Sequence, residues 1–113
     1  MTTQLKNFEI PANLSDKGRV AAEIISDFCT EYDLSSGQQV FRDPSEWGGD
    51  YGHNSLLIVM HEGNDANRAL SMDGAYEMNG GNYSLYEALT DRLRNEGVYI
   101  EQCTRWHSAV YWI

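Results

Sequence analysis

The run SLLIVMHE (55–62) constrains the fold more than any other stretch of this chain. Positions 56–60 are apolar without alternation, so a strand built from them is apolar on both faces and belongs in the middle of a sheet. The run falls far short of the roughly 18 apolar residues that a membrane-spanning helix needs, and no membrane contact is expected. Glu62, Gly63, Asn64 and Asp65 supply turn chemistry after it, and RALSMD (68–73) reads as the returning hairpin partner. QQVFR (38–42) reads as a short strand at a sheet edge.

Two helices flank this core. Asn13 or Ser15 can cap a helix starting near Asp16, whose carboxylate suits the positive end of the helix dipole. Val20, Ile24, Ile25, Phe28, Cys29 and Tyr32 then recur at helical spacing as one apolar stripe, and the helix should stop near Asp33. Gly18 weakens its first turn by about 1 kcal/mol relative to Ala. Ser84 followed by Glu87 matches a capping box opening the second helix, with Leu85, Ala88, Leu89 and Leu93 as its buried face and Gly97 as its left-handed stop. VYIEQC (98–103) and SAVYWI (108–113) form a hairpin around 104–107.

The order α-β-β-β-α-β-β predicts one α+β domain over 1–113, an antiparallel sheet of about five strands with two helices on one face. Tyr99 or Tyr111, with neighbouring Trp112, are candidates for the second face. Left uncovered, two aromatics there favour a homodimer; otherwise the long loops fold over them.

Charge is the most informative compositional quantity. Seventeen acids against eight bases give a net −9, which argues against direct contact with a nucleic-acid backbone. Nine of those acids and one base, Arg42, lie within 21–65. Glu23, Asp27 and Glu31 fall at i, i+4 and i+8, a row along one shoulder of the first helix, where only Arg19 offers relief. Asp43, Glu46 and Asp50 follow in FRDPSEWGGDYGHN (41–54), where glycines hold Trp47 and Tyr51. Carboxylates about 6 Å apart along a helix approach the phosphate spacing of a nucleic-acid strand, so a basic groove can accept them. Trp47 and Tyr51 supply the aromatic anchors that dominate interfaces. The bland reading is that these two tuck onto the sheet edge and the acids serve solubility.

Catalytic signatures fail one by one. HEGND (61–65) lacks the second histidine and the helix of a zinc-protease motif. Cys103 and His107 face each other across a turn without a third orienting group, and the ordinary reading is a half-buried thiol and a turn histidine. Neither WGGDYG (47–52) nor NGGN (79–82) fits a phosphate-binding loop. No cofactor and no metal ligand set are expected. The two cysteines are too few and too separated for a disulfide framework, and the opening MTTQLKNFEI has no signal-peptide pattern, which together imply a cytoplasmic protein.

The segments GVYIEQCTRWHSAVYWI, SDKGRVAAEII and SLLIVMHEG resemble small acidic proteins carried by bacteriophages and mobile elements, a group without defined catalytic residues. The resemblance implies an inhibitor of host defence nucleases, anti-CRISPR or anti-restriction in type, acting in the host bacterial cytoplasm. Two expectations follow. The first is a non-enzymatic protein that binds a basic surface of a host complex through Glu23, Asp27, Glu31, Asp43, Glu46 and Asp50, with Trp47 and Tyr51 as anchors. The alternative is a small-ligand protein, for a nucleotide or metabolite, using the glycine-rich loops around Trp47 and between Asn79 and Tyr83.

Overall fold

Ser15, not Asn13, starts the first helix: its hydroxyl accepts the Gly18 amide at 3.1 Å, and helix α1 runs Asp16–Glu31. Ala21, Ala22, Ile25, Phe28 and Cys29 form its fully buried face; of the expected stripe, Ile25, Phe28 and Cys29 are buried, Val20 and Ile24 are half-buried and Tyr32 is exposed. This is a computed structural model, and it describes residues 5–49 and 51–113. After α1 come strand β1 (Phe41–Arg42), a 3-10 turn (Pro44–Glu46), β2 (Leu57–Met60), three helices α2 (Asn67–Leu70), α3 (Met72–Met78) and α4 (Ser84–Asn95), then β3 (Val98–Gln102) and β4 (His107–Trp112).

The class is α+β as expected, but the described residues hold four antiparallel strands and four α-helices, not five and two. The sheet order is β1-β2-β4-β3, so β2 is central and β1 is an edge. RALSMD is the element read wrongly. It is helical, and the partner of β2 is β4, with Leu57 opposite Val110 and Val59 opposite Ser108. Ala66, Ala69 and Leu70 are buried at i, i+3 and i+4, and the Ser71 hydroxyl caps α3 by accepting the Gly74 amide. Burying those apolar groups on a helical face outweighs the strand reading of so short a run.

α4 also begins differently. The expected capping box is not made; the Asn82 side chain accepts the Ser84 amide at 3.0 Å instead. Its end is as expected, with Gly97 at φ 79 and its amide on the Arg94 carbonyl.

Period-two alternation sorts the sheet into two faces. Phe41, Leu57, Val59, Val98, Ile100 and Val110 join the buried core with α1 and α4. Ile58, Ala109, His107, Tyr111 and Tyr99 therefore point the other way, since Ile58 pairs with Ala109 and Tyr99 with Tyr111. That second face is divided between the two outcomes anticipated for it. Trp47, Tyr51 and Gly52 lie over one half: Trp47 packs on His107, and a Cβ on Gly52 would meet Ile58 Cδ1 at 2.5 Å and Ala109 Cβ at 3.5 Å. On the other half Tyr99 and Tyr111 sit side by side, ring centroids 5.7 Å apart and half-buried. Trp112 belongs to the opposite face, where Lys17 Nζ lies 6.0 Å from its ring.

Candidate functional site

The α1 carboxylates form the row that the spacing implied. Glu23, Asp27 and Glu31 are all exposed. Only Glu31 has a cationic partner among the described residues, Arg92 of α4, at 2.6 Å. The Arg92 guanidinium also stacks over the Phe28 ring at 4.8 Å. Arg19 does not relieve Glu23, because its guanidinium donates to the Ala12 carbonyl at 3.0 Å. Asp27 lines a shallow hollow of about 290 Å³ between α1 and α4, with Ile24, Arg92, Asn95 and Glu96.

Asp43 and Glu46 stand elsewhere, just after the edge strand β1. Asp43 caps the 3-10 turn, accepting from the Ser45 amide at 2.9 Å and the Ser45 hydroxyl at 2.8 Å. Together with Glu9 of the N-terminal segment, Asp43 and Glu46 are among the residues that line an open hollow of about 400 Å³. Asp50 lies outside the described residues.

Trp47 is not an outward anchor. Its ring packs at 5.1 Å from His107 and 5.7 Å from Trp106, and its indole N–H donates to the Tyr51 carbonyl at 3.0 Å. The Tyr51 carbonyl also lies 3.2 Å from His107 Nε2. This clamps the loop onto the sheet face opposite α1, so the sheet stands between Trp47 and the α1 row. Tyr51 itself remains exposed, at φ 63, a left-handed conformation rare for a non-glycine residue. The seven of these eight residues that the structure describes therefore do not make one continuous surface, because the sheet separates Trp47 from the α1 row.

The other glycine-rich connection is a helix-to-helix turn. Gly80 and Gly81 take φ 62 and 80, and Asn79 and Asn82 bond within the turn. Neither this segment nor Trp47 lines either of these two hollows.

The polar centre that spacing arguments missed lies under α2 and α3. His61 is fully buried, its Nε2 2.9 Å from the Ser108 hydroxyl, while Nδ1 has no hydrogen-bond partner among the described residues. Burial, and secondarily the neighbouring His107, push its pKa down to about 4. The signal was present: period two from Leu57 through Val59 puts His61 on the core side, and the β2–β4 register delivers Ser108 to it. A serine and a neutral histidine at this distance are the components of an activated nucleophile. Both are wholly enclosed, however, and among the described residues no carboxylate is bonded to the imidazole, so the pair ties β2 to β4.

Cys103 and His107 are opposed across the β3–β4 turn but do not form a thiolate–imidazole pair. His107 Nδ1 lies 2.7 Å from the Thr104 hydroxyl and Nε2 faces Tyr51, so both ring nitrogens are occupied. Burial, and then the Glu101 carboxylate, raise the Cys103 thiol pKa, which disfavours a nucleophilic thiolate. Burial pushes the Cys29 thiol up to about 12. Among the described residues no cluster of metal-ligating side chains is found, and no helix is long and apolar enough to cross a membrane.

The fold and its surface thus define an α+β protein with an acidic helical layer and a clamped loop on the reverse sheet face. Comparison with protein-family models, with curated proteins and with solved structures finds no match.

Proposed function

We propose that this chain is a non-enzymatic acidic interaction protein that occupies a basic, nucleic-acid-binding surface of another protein, in the manner of a phage-borne inhibitor of a host defence complex. The observation that carries the reading is the α1 row. Glu23 and Asp27 are exposed and without an ion pair among the described residues; Arg19, one turn before Glu23, is turned onto a backbone carbonyl, and Arg92, which shares a hollow with Asp27, is paired to Glu31. Self-repulsion along such a row costs a few tenths of a kcal/mol per pair, a cost that a cationic partner removes. A net charge of −9 adds long-range attraction toward any basic groove, raising the association rate and making it depend on salt.

The test is capture from a bacterial lysate with wild type beside a Glu23→Gln, Asp27→Asn, Glu31→Gln variant. Retention of a nucleic-acid-binding protein by wild type alone, released by raising salt and competed by duplex DNA, is the expected result. Equal retention by the neutralised variant, or an affinity indifferent to salt, would refute the reading.

A further inference from the structure

The glycine-rich turn between α3 and α4 carries a reactive pair for which an acidic binding surface has no use. Asn79 is followed by Gly80, and no other asparagine of the sequence precedes a glycine. A backbone amide nitrogen that reaches the preceding asparagine side chain can close a ring on its carbonyl carbon and expel ammonia. Glycine makes this easiest, because no Cβ shields its nitrogen. The position a Cβ would take at Gly80 is open space, and the Gly80 amide has no hydrogen-bond partner among the described residues. Gly80 is exposed and Asn79 half-buried.

We propose that Asn79 is a self-modification site whose co-reactant is water. The Gly80 nitrogen gives its proton to solvent base and bonds to Asn79 Cγ; the Cγ–Nδ2 bond breaks and that nitrogen leaves as ammonia. Water then opens the succinimide so formed. Attack at Cγ leaves an aspartyl link, whereas attack at the Asn79 backbone carbonyl leaves an isoaspartyl link, with the chain routed through the side chain. The folded turn sets the pace. At ψ 21 the Gly80 nitrogen lies on the far side of the Cα–C bond from Cβ, so the turn must swing before the ring can close. Little opposes that swing. Asn79 Nδ2 donates to the Asn82 carbonyl at 3.1 Å, the Asn82 amide to the Asn79 carbonyl at 3.0 Å and the Gly81 amide to the Tyr76 carbonyl at 3.1 Å. None of residues 79–84 is buried, so no apolar contact holds the turn shut. The product cannot restore it. A carboxylate has no proton to give the Asn82 carbonyl, and it stands at the C-terminal end of α3, where the helix dipole disfavours negative charge. The Asn82 side chain accepts the Ser84 amide, so the disturbance reaches the start of the helix that supplies Leu89 and Leu93 to the core. The reaction is independent of the function proposed above.

The purified protein is aged at neutral and mildly alkaline pH, in buffer and in urea. Its peptides are mapped by mass spectrometry, with chromatography separating aspartyl from isoaspartyl forms. The expected result is conversion confined to Asn79 in the native protein, with ammonia released in step and a rate that rises with pH. Conversion should run about tenfold faster in urea, equivalent to about 1.4 kcal/mol of turn opening. In urea, where native backbone strain plays no part, Gly80→Ala should slow it several-fold. Asn79→Asp supplies the aspartyl product directly, and should quicken amide hydrogen exchange at Ser84 and Glu87, whose amides are bonded at the start of α4. Native protein that stays intact far longer than conversion takes in urea, conversion first at Asn82 or Asn95, or a rate indifferent to pH or to Gly80→Ala would each overturn the proposal. Unaltered exchange in Asn79→Asp would overturn the consequence drawn for α4.

Discussion

Replacing Gly18 by alanine sets helix propensity against packing, and the structure decides between them. Propensity alone favours Ala by about 1 kcal/mol inside a helix. Gly18 is buried, however, and a Cβ built there collides with the Leu56 carbonyl oxygen, with the Leu56 carbonyl carbon at 3.4 Å and the Ser15 hydroxyl at 3.2 Å. That carbonyl cannot retreat freely, because the Leu56 amide is bonded to Val110 of the central strand β4 at 2.7 Å. Either α1 lifts from the sheet or the strand distorts, and such overpacking costs about 1–3 kcal/mol, more where the obstacle is backbone. The expected net is a loss of about 1–2 kcal/mol, or a Tm about 5–10 °C lower for a domain of this size. Urea unfolding at fixed pH with an unchanged m-value is the assay. Ser15→Ala alone, expected to cost about 1 kcal/mol, measures the cap contribution. A Gly18→Ala protein as stable as wild type or more so would show that α1 is not seated against β2 as described.

Three further outcomes follow from the same geometry. Because the pKa of His61 is held near 4, the unfolded state takes up its proton first as the pH drops below the ordinary histidine value. Stability is therefore full above about pH 6.5, declines as the pH falls, and has lost this contribution by about pH 4. The total is on the order of 3 kcal/mol, and a His61→Gln protein should show a flatter profile by pH-dependent urea unfolding. Trp47→Ala removes two ring contacts and the bond to Tyr51, and should cost about 2 kcal/mol in chemical denaturation while leaving salt-sensitive partner capture unchanged. Neutralising Glu23 and Asp27 should leave stability unchanged or raise it by a few tenths of a kcal/mol, seen by calorimetry as an equal or slightly higher Tm.

Much of this fold was legible because its signals are local. The Ser15 cap, the α1 stripe, the Gly97 stop and the β3–β4 hairpin each depend on residues within a few turns of one another. α2 and α3 were not legible. Ala66, Ala69 and Leu70 give a single helical turn of pattern, too little to outvote a strand reading, and the real partner of β2 lies beyond three helices. The acidic row could be derived from helical spacing, but its separation from Trp47 could not, since that depends on which sheet face the loop crosses. Glu9 escaped notice altogether, because only folding brings it beside Asp43 and Glu46. The His61–Ser108 contact needed a register that sequence alone leaves open.

The strand order carries a kinetic corollary. β2 bonds on one side to a β1 of two residues, and on the other to β4, which follows only after α2, α3, α4 and β3. Ribosomal synthesis therefore releases the most apolar strand well before its principal neighbour exists, and closing so long a loop is slow. During that interval Leu57, Ile58 and Val59 are adhesive, and dispersed negative charge along the emerging polypeptide is what would keep nascent copies apart.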